Sequence, residues 1–295
     1  MIGPFLRFIR PVAWLVILAG GLQGAAPVWE VSRGDDRFFI AGTCHVIRQD
    51  SLPLHPAFDE VLDAADRIYL ETDPSVLTDP GFALEMLQRA RLPDGETLQS
   101  ILEPDTYAAL KAVLDQVGLP IIAMEQYDPF FVQATYLSIL IQGDPEYRPG
   151  VEQVIIERAA AAGTPVAGLT PRDQHIAYLT EHDRAEVVAG LNQWLAESAH
   201  SIDYIDALIR AWANWDRAYL EEILVRDLKA VAPNMYQRLI VERNHAWVAK
   251  MGDFPEMPGT EAVFVGVGHC VGPDSVLRWL EARGFTVRPL APGET

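Results

Sequence analysis

Basic residues are scarce in this 295-residue chain: Lys and Arg together number 23 against 41 Asp and Glu, for a formal net charge of −18. A surface of that sign repels phosphate backbones and anionic lipid headgroups, which excludes nucleic acid as an expected partner and disfavours peripheral membrane binding. Long apolar runs are also missing. After residue 26 nothing approaches the ~18 consecutive apolar residues of a membrane span, so no stable insertion is expected of the mature chain. Repeats, low-complexity tracts and linkers are absent, and the 21 Gly and 21 Pro follow no period, which leaves an ordinary globular composition with 49% hydrophobic residues. There are only two cysteines, Cys44 and Cys270.

The first 26 residues are a different material. Arg7 and Arg10 make a positive start, Val12 to Ala19 is a short apolar run, and small residues follow around Gly24-Ala25-Ala26. That is the order of a secretory signal peptide, with an uncleaved N-terminal anchor as the alternative. The expectation is an exported protein, periplasmic or extracellular, whose residues 27–295 form a single domain. Losing Arg7 and Arg10 would make its charge two units more negative.

Two short, distant stretches resemble one another: Gly42-Thr43-Cys44-His45 and Gly266-Val267-Gly268-His269-Cys270. Each follows a strand-like run, Phe38 to Ala41 in one case and Ala262 to Val265 in the other. Each strand stops at a glycine and delivers a histidine just past its C-terminal end, the edge where open α/β sheets bind ligands. Around them the pattern predicts strands at 28–31, 37–41, 67–70, 164–169, 262–266 and 286–289. It predicts helices at 56–65 and 274–283, and a helical middle from about 81 to 251. The strand–helix–strand opening is expected to pair its two strands in parallel. The fold class is α/β: a mixed, largely parallel central sheet flanked by helices, with the middle as an insertion or cap over the ligand edge.

Neutral imidazole is the commonest protein metal ligand, so His45 and His269 are candidate ligands, with hydrogen-bonded structural histidines as the alternative. A divalent ion wants three or four donors. Glu71, at the end of the strand after that of His45, is the best third; a helix cap or surface carboxylate is its bland reading. Two histidines and a carboxylate suit Zn, Mn, Fe or Co. Arg243 and Asn244 are candidates to hold a substrate or a developing oxyanion, against a surface salt bridge for Arg243. Glu152 opens a helix after Gly150 and is either a site residue or a charge on the helix dipole. Cys44 and Cys270 are expected to pair as a disulfide in an oxidising compartment, with a closed Cys₂His₂ zinc site as the alternative. His55, His175, His182, His200 and His245 read as surface or packing residues.

Gly42-Thr43-Cys44-His45, Leu70-Glu71-Thr72-Asp73, Gly150-Val151-Glu152, Gly168-Leu169 with Gln174, Arg243-Asn244 with Trp247, and Gly266 to Gly272 together resemble the TraB/GumN family in order and spacing. That family belongs with the Tiki-type metalloproteases and, more remotely, with erythromycin esterase and ChaN-like haem-binding proteins. The resemblance implies an α/β fold and a divalent-metal-dependent site (Mn, Co or Zn) acting on peptide or related bonds, carried by His45, Glu71, Arg243, Asn244 and His269, with Glu152 beside them. Departures are Cys44 and Cys270, where other residues are usual, and Thr170, where relatives are often acidic. The expected function is a secreted metal-dependent hydrolase, with a haem- or metal-binding protein without turnover, or a non-catalytic factor in envelope or polysaccharide assembly, as alternatives.

Overall fold

The computed structural model describes residues 26–290 and Gly293. Of the expected leader, residues 1–25 lie outside the described residues, and Ala26 is buried at the edge of the core.

Six strands form the central sheet: β1 (Val28–Arg33), β2 (Asp36–Thr43), β4 (Arg67–Thr72), β6 (Val166–Thr170), β7 (Glu261–Gly266) and β8 (Thr286–Pro289). Their order is β6-β4-β7-β2-β1-β8. The four strands β6, β4, β7 and β2 are parallel, while β1 and β8 add antiparallel strands at one side. The parallel strands lie between helical layers, and β7 is accordingly buried from Glu261 to Val265 on both faces. One correction concerns the opening strand–helix–strand unit. β2 and β4 are parallel but do not pair, because β7, from the far end of the chain, lies hydrogen-bonded between them.

Alternation along the strands sends side chains to two cores. Phe39, Ala41, Ile68, Leu70, Ala262 and Phe264 face the Pro56–Ala64, Val151–Ala162 and Ser201–Ala213 helices. Phe38, Ile40, Tyr69, Val263 and Val265 face the Arg243–Met251 and Val276–Ala282 helices through Trp247, Val248, Met251, Val276 and Leu280. The helical middle has a third core of its own, built from Leu98, Leu110, Leu114, Val132, Tyr136 and Leu191. The middle also gives β6 to the edge of the sheet, so it is more than an appended cap.

The two cysteines end on opposite faces. Cys44 packs in the first core and Cys270 in the second, and both are free thiols. The expected disulfide is therefore not formed, and a shared Cys₂His₂ zinc site is excluded by the same placement. The reason is their different distance from the paired strand ends: Cys44 follows Thr43 directly, whereas Cys270 comes after the Val267–His269 turn that follows Gly266. Burial pushes the Cys44 thiol up to about 11 and that of Cys270 higher still, so neither is a thiolate near neutrality.

A small antiparallel ladder joins the middle to the first motif. β3 (Val46–Arg48) pairs with β5 (Tyr147–Pro149), with Val46 opposite Pro149. Val151 N–H then donates to Cys44 O at 3.0 Å. This ladder sets the start of the Val151–Ala162 helix against His45. On the other side, Trp212 Nε1 donates to Gly42 O at 2.9 Å, fixing a second helix of the middle to the same motif.

Candidate functional site

β2 and β7 are direct neighbours with Thr43 opposite Gly266, so both Gly-x-x-His motifs leave the same C-terminal edge side by side. β4 lies on the other flank of β7 and reaches the same edge at Glu71-Thr72. The three residues that the sequence singles out as donors thus come from three adjacent parallel strands.

Each histidine is anchored at Nδ1. His45 Nδ1 donates to Glu152 Oε1 at 2.9 Å, and the same oxygen accepts from Thr43 Oγ1 at 2.6 Å. His269 Nδ1 lies 2.7 Å from Asn244 Oδ1, while Asn244 Nδ2 donates to Asp274 O at 2.7 Å. That second bond fixes the amide, so its oxygen accepts and His269 carries its proton on Nδ1. His269 is left with Nε2 free of a proton, and His45 turns its Nε2 away from Glu152. Partners that orient an imidazole through its far nitrogen are what metal-site and catalytic histidines use.

The two Nε2 atoms converge around Glu71. His269 Nε2 is 3.7 Å from Glu71 Oε1. A Cβ placed on Gly266 would stand 2.8 Å from Glu71 Oε1 and 3.5 Å from His45 Nε2, so the missing side chain is what opens the space between strand and donors. Glu71 Oε1 accepts from Gly266 N–H, and Oε2 accepts from Arg243 Nη2 at 2.6 Å. Arg243 Nη1 lies 3.4 Å from His269 Nε2, a long contact. The guanidinium is stacked by Trp247 and Tyr178, with Cζ 4.5 and 5.6 Å from their ring centres. Trp247 also packs on His269 at 4.5 Å between centroids and donates Nε1–H to Thr170 Oγ1 at 2.8 Å.

Charges follow from this packing. Burial alone would push Glu71 up, but Arg243, helped by His269, His45 and the Gly266 N–H, holds its carboxyl well below the usual range. Burial lowers His269 to about 3, keeping it neutral; Glu71 opposes that shift, while Arg243 and His45 add to it. His45 goes the other way: Glu152 raises it to about 9. Its side chain is 69% exposed, however, so solvent screens part of that lift. Glu152 is held ionised, burial being outweighed by His45 and Thr43.

The expected residues therefore divide. His45, Glu71, Arg243 and His269 meet at one point. Glu152 and Asn244 act behind the histidines: Asn244 is fully buried with both ends of its amide used, so the expected contact with substrate is not available to it. Arg243 is a buried partner of Glu71, not a surface salt bridge. Sequence reasoning missed Thr43 as a partner of Glu152 and Tyr178 as a neighbour of Arg243. His175, expected at the surface or in packing, is half-buried on the Arg172–Thr180 helix with its ring beside Phe82. The available signal for Tyr178 was its helix, which follows a strand ending at the same sheet edge.

Among the described residues no three His, Cys, Asp or Glu side chains stand as a ready-made coordination set for a metal ion. The donor chemistry nevertheless suits one: two imidazole Nε2 atoms, each oriented from behind, stand by an ionised carboxylate, and an ion would displace the proton that Glu152 favours on His45. Among the described residues no helix is long and apolar enough to cross a membrane.

A model of the TraB/PrgY/gumN family matches residues 27–289, which takes in the whole sheet and every residue of the cluster. A protein of Treponema pallidum (strain Nichols), described only as an uncharacterized protein, is 21% identical over 267 residues, 86% of this chain and 80% of its own length. No solved structure matches.

Proposed function

The chain belongs to the TraB/PrgY/gumN family, and we propose that it is a metal-dependent hydrolase of peptide or related amide bonds centred on His45, Glu71 and His269. The supporting observation is the paired anchoring: Glu152 behind His45 and Asn244 behind His269 each take the Nδ1 and leave the Nε2 on the side of the same carboxylate. The two Nε2 atoms and Glu71 would hold a divalent ion such as Zn, Mn or Co. When bound, such an ion lowers the pKa of a water and polarises a carbonyl.

The chain's own residues supply the rest. Arg243 neutralises Glu71 at rest and brings a fixed fork of donors to the point where an oxyanion would develop. The depressed proton affinity of Glu71 makes it a weak base, which favours a role as an ionised ligand or anchor over proton abstraction. Trp247 and Tyr178 wall one side and exclude water from the guanidinium. His45, open to solvent, stands on the side from which a substrate enters. The same reading takes residues 1–26 as a cleaved leader and puts the protein in the periplasm or outside the cell.

The test is metal content after purification, together with cleavage of a mixed peptide library with added Zn²⁺, Mn²⁺ or Co²⁺. We expect bound metal and metal-stimulated cleavage that His45→Ala and His269→Ala each reduce by at least about a hundredfold, on the scale of losing a positioned catalytic group. A chain without metal, without stimulated cleavage and indifferent to His45→Ala would sink the reading.

A further inference from the structure

His269 rides on a loop that contains Gly266, Gly268 and Gly272, the last at φ +81, where other residues are strained. Such a backbone does not fix a ring by itself. The loop ends at Asp274, just before the Val276–Ala282 helix. Ser275, not Asp274, caps that helix, accepting from Arg278 N–H at 3.4 Å. The Asp274 carboxylate goes elsewhere. Tyr236 Oη donates to Asp274 Oδ2 at 2.7 Å, and Lys229 Nζ stands 3.8 Å from the same oxygen.

Tyr236 and Asn244 lie on one helix that runs from Pro233 to Met251, and both are buried. Eight positions separate them. In an unbroken α-helix, at about 3.6 residues per turn, that spacing turns two side chains roughly 80° from one another. Here Gln237–Glu242 form a π turn, which takes up one residue more than an α turn does. The eighth position therefore comes round to where the seventh would stand, nearly in line with the first. Tyr236 and Asn244 thus reach one residue together. The hydroxyl holds the Asp274 carboxylate and the Asn244 amide holds the Asp274 carbonyl, each at 2.7 Å. A second π turn, Glu222–Asp227, meets the same loop: a Cβ on Gly272 would stand 3.0 Å from Val225 Cγ1, and one on Gly268 would stand 3.6 Å from Leu224.

We propose that Tyr236 is a positioning residue for His269: through Asp274 it ties the end of the loop to the helix that carries Asn244, and so aims His269 Nε2 at Glu71. The chain of contacts is continuous. Tyr236 Oη meets Asp274 Oδ2, Asp274 O meets Asn244 Nδ2, and Asn244 Oδ1 meets His269 Nδ1, each at 2.7 Å. The consequence for metal binding rests on the reading of His269 as a ligand; the orientation of the ring does not.

Two readouts on the chelator-treated full chain test the proposal. In ¹⁵N-histidine-labelled protein at neutral pH, His269 is expected as one ring species with its proton on Nδ1. Tyr236→Phe keeps the buried ring and loses only the hydroxyl. It is expected to broaden or mix the His269 tautomer signals, while those of His45, held by Glu152, stay as they were. Asp274→Ala is expected to do the same, and Asp274→Asn, which still offers an oxygen to Tyr236, to keep the native signal. Tyr236→Phe combined with Asp274→Ala should go no further than either alone. In Co²⁺ titration, Tyr236→Phe is expected to weaken binding by about three- to tenfold, below the roughly ten- to hundredfold of a partner that touches the ligand itself. A Tyr236→Phe chain that is less stable but has unchanged His269 signals overturns the proposal, and so do effects that add in the double variant. Altered signals with full Co²⁺ affinity would leave the clamp standing and remove His269 from the ligands. Where the unaltered chain binds no Co²⁺, the metal reading falls and the tautomer signals alone decide the clamp.

Discussion

At Glu71 and Arg243 one buried ion pair sets the state of every group around it. Both side chains are nearly inaccessible, and their contact is 2.6 Å. Removing one partner from such a pair leaves an uncompensated charge, destabilising by roughly 3–5 kcal/mol, whereas removing both together can be close to neutral. Arg243→Met should therefore destabilise the chelator-treated chain by roughly that amount. Adding Glu71→Gln to it should restore much of the loss, because the carboxylate that lost its cation is gone. Urea unfolding of the two single variants and the double variant reads the coupling directly. Additive losses would mean that Arg243 contributes by packing between Trp247 and Tyr178 and not by its charge.

Between elements, the tightest tolerance is at the start of the Val151–Ala162 helix. Gly150 has an ordinary negative φ, so no left-handed conformation demands glycine there. What demands it is proximity: a Cβ would come within 2.5 Å of Cys44 O and His45 O, which are backbone atoms and cannot swing aside. Gly150→Ala should push the Glu152 helix away from His45 and break the 2.9 Å bond that orients its ring. The expected outcome is a folded chain, destabilised by about 1–3 kcal/mol as other overpacked sites are, with its Co²⁺ affinity lowered alongside. Thermal melting and Co²⁺ titration of the one variant check both halves, and unchanged affinity would mean that Glu152 does not position His45. This contact also shows what the sequence could carry. The strand ends, the two Gly-x-x-His motifs and the helix from residue 151 were legible because each is local: an apolar run, a glycine, a polar residue at a helix start. The insertion of β7 between β2 and β4 was not, since strand order depends on pairing across about two hundred residues. The same holds for the opposite faces of Cys44 and Cys270, which depend on how the chain turns after each strand.

For the whole molecule, acidity is the condition that the centre meets least well. His269 is buried and neutral, lowered to about 3 from an unfolded value of 6.5, with Glu71, Arg243 and His45 facing it. Between those values the unfolded chain binds a proton that the folded chain refuses, so stability must fall as pH drops, at about 1.4 kcal/mol per pH unit for a fully linked proton. His175, lowered to about 4, has the same sign over a narrower window. Glu71 adds to both lower down: its contribution is complete above the ordinary carboxylate value of 4.5 and is lost as pH falls below it. His45 opposes them. Its raised affinity stabilises below 6.5 and is lost as pH rises toward about 9, though its exposure screens the effect. Together these shifts put the stability maximum of the chelator-treated chain near neutrality, with a steep acid limb and a shallow basic one. The acid limb is the part that names its cause: His269→Gln, which cannot take up the proton, should flatten it between about pH 3 and 6.5 in urea unfolding series at fixed ionic strength. An acid limb of unchanged slope in that variant would assign the loss to carboxylates elsewhere and would mean that the His269 ring is already protonated in the fold.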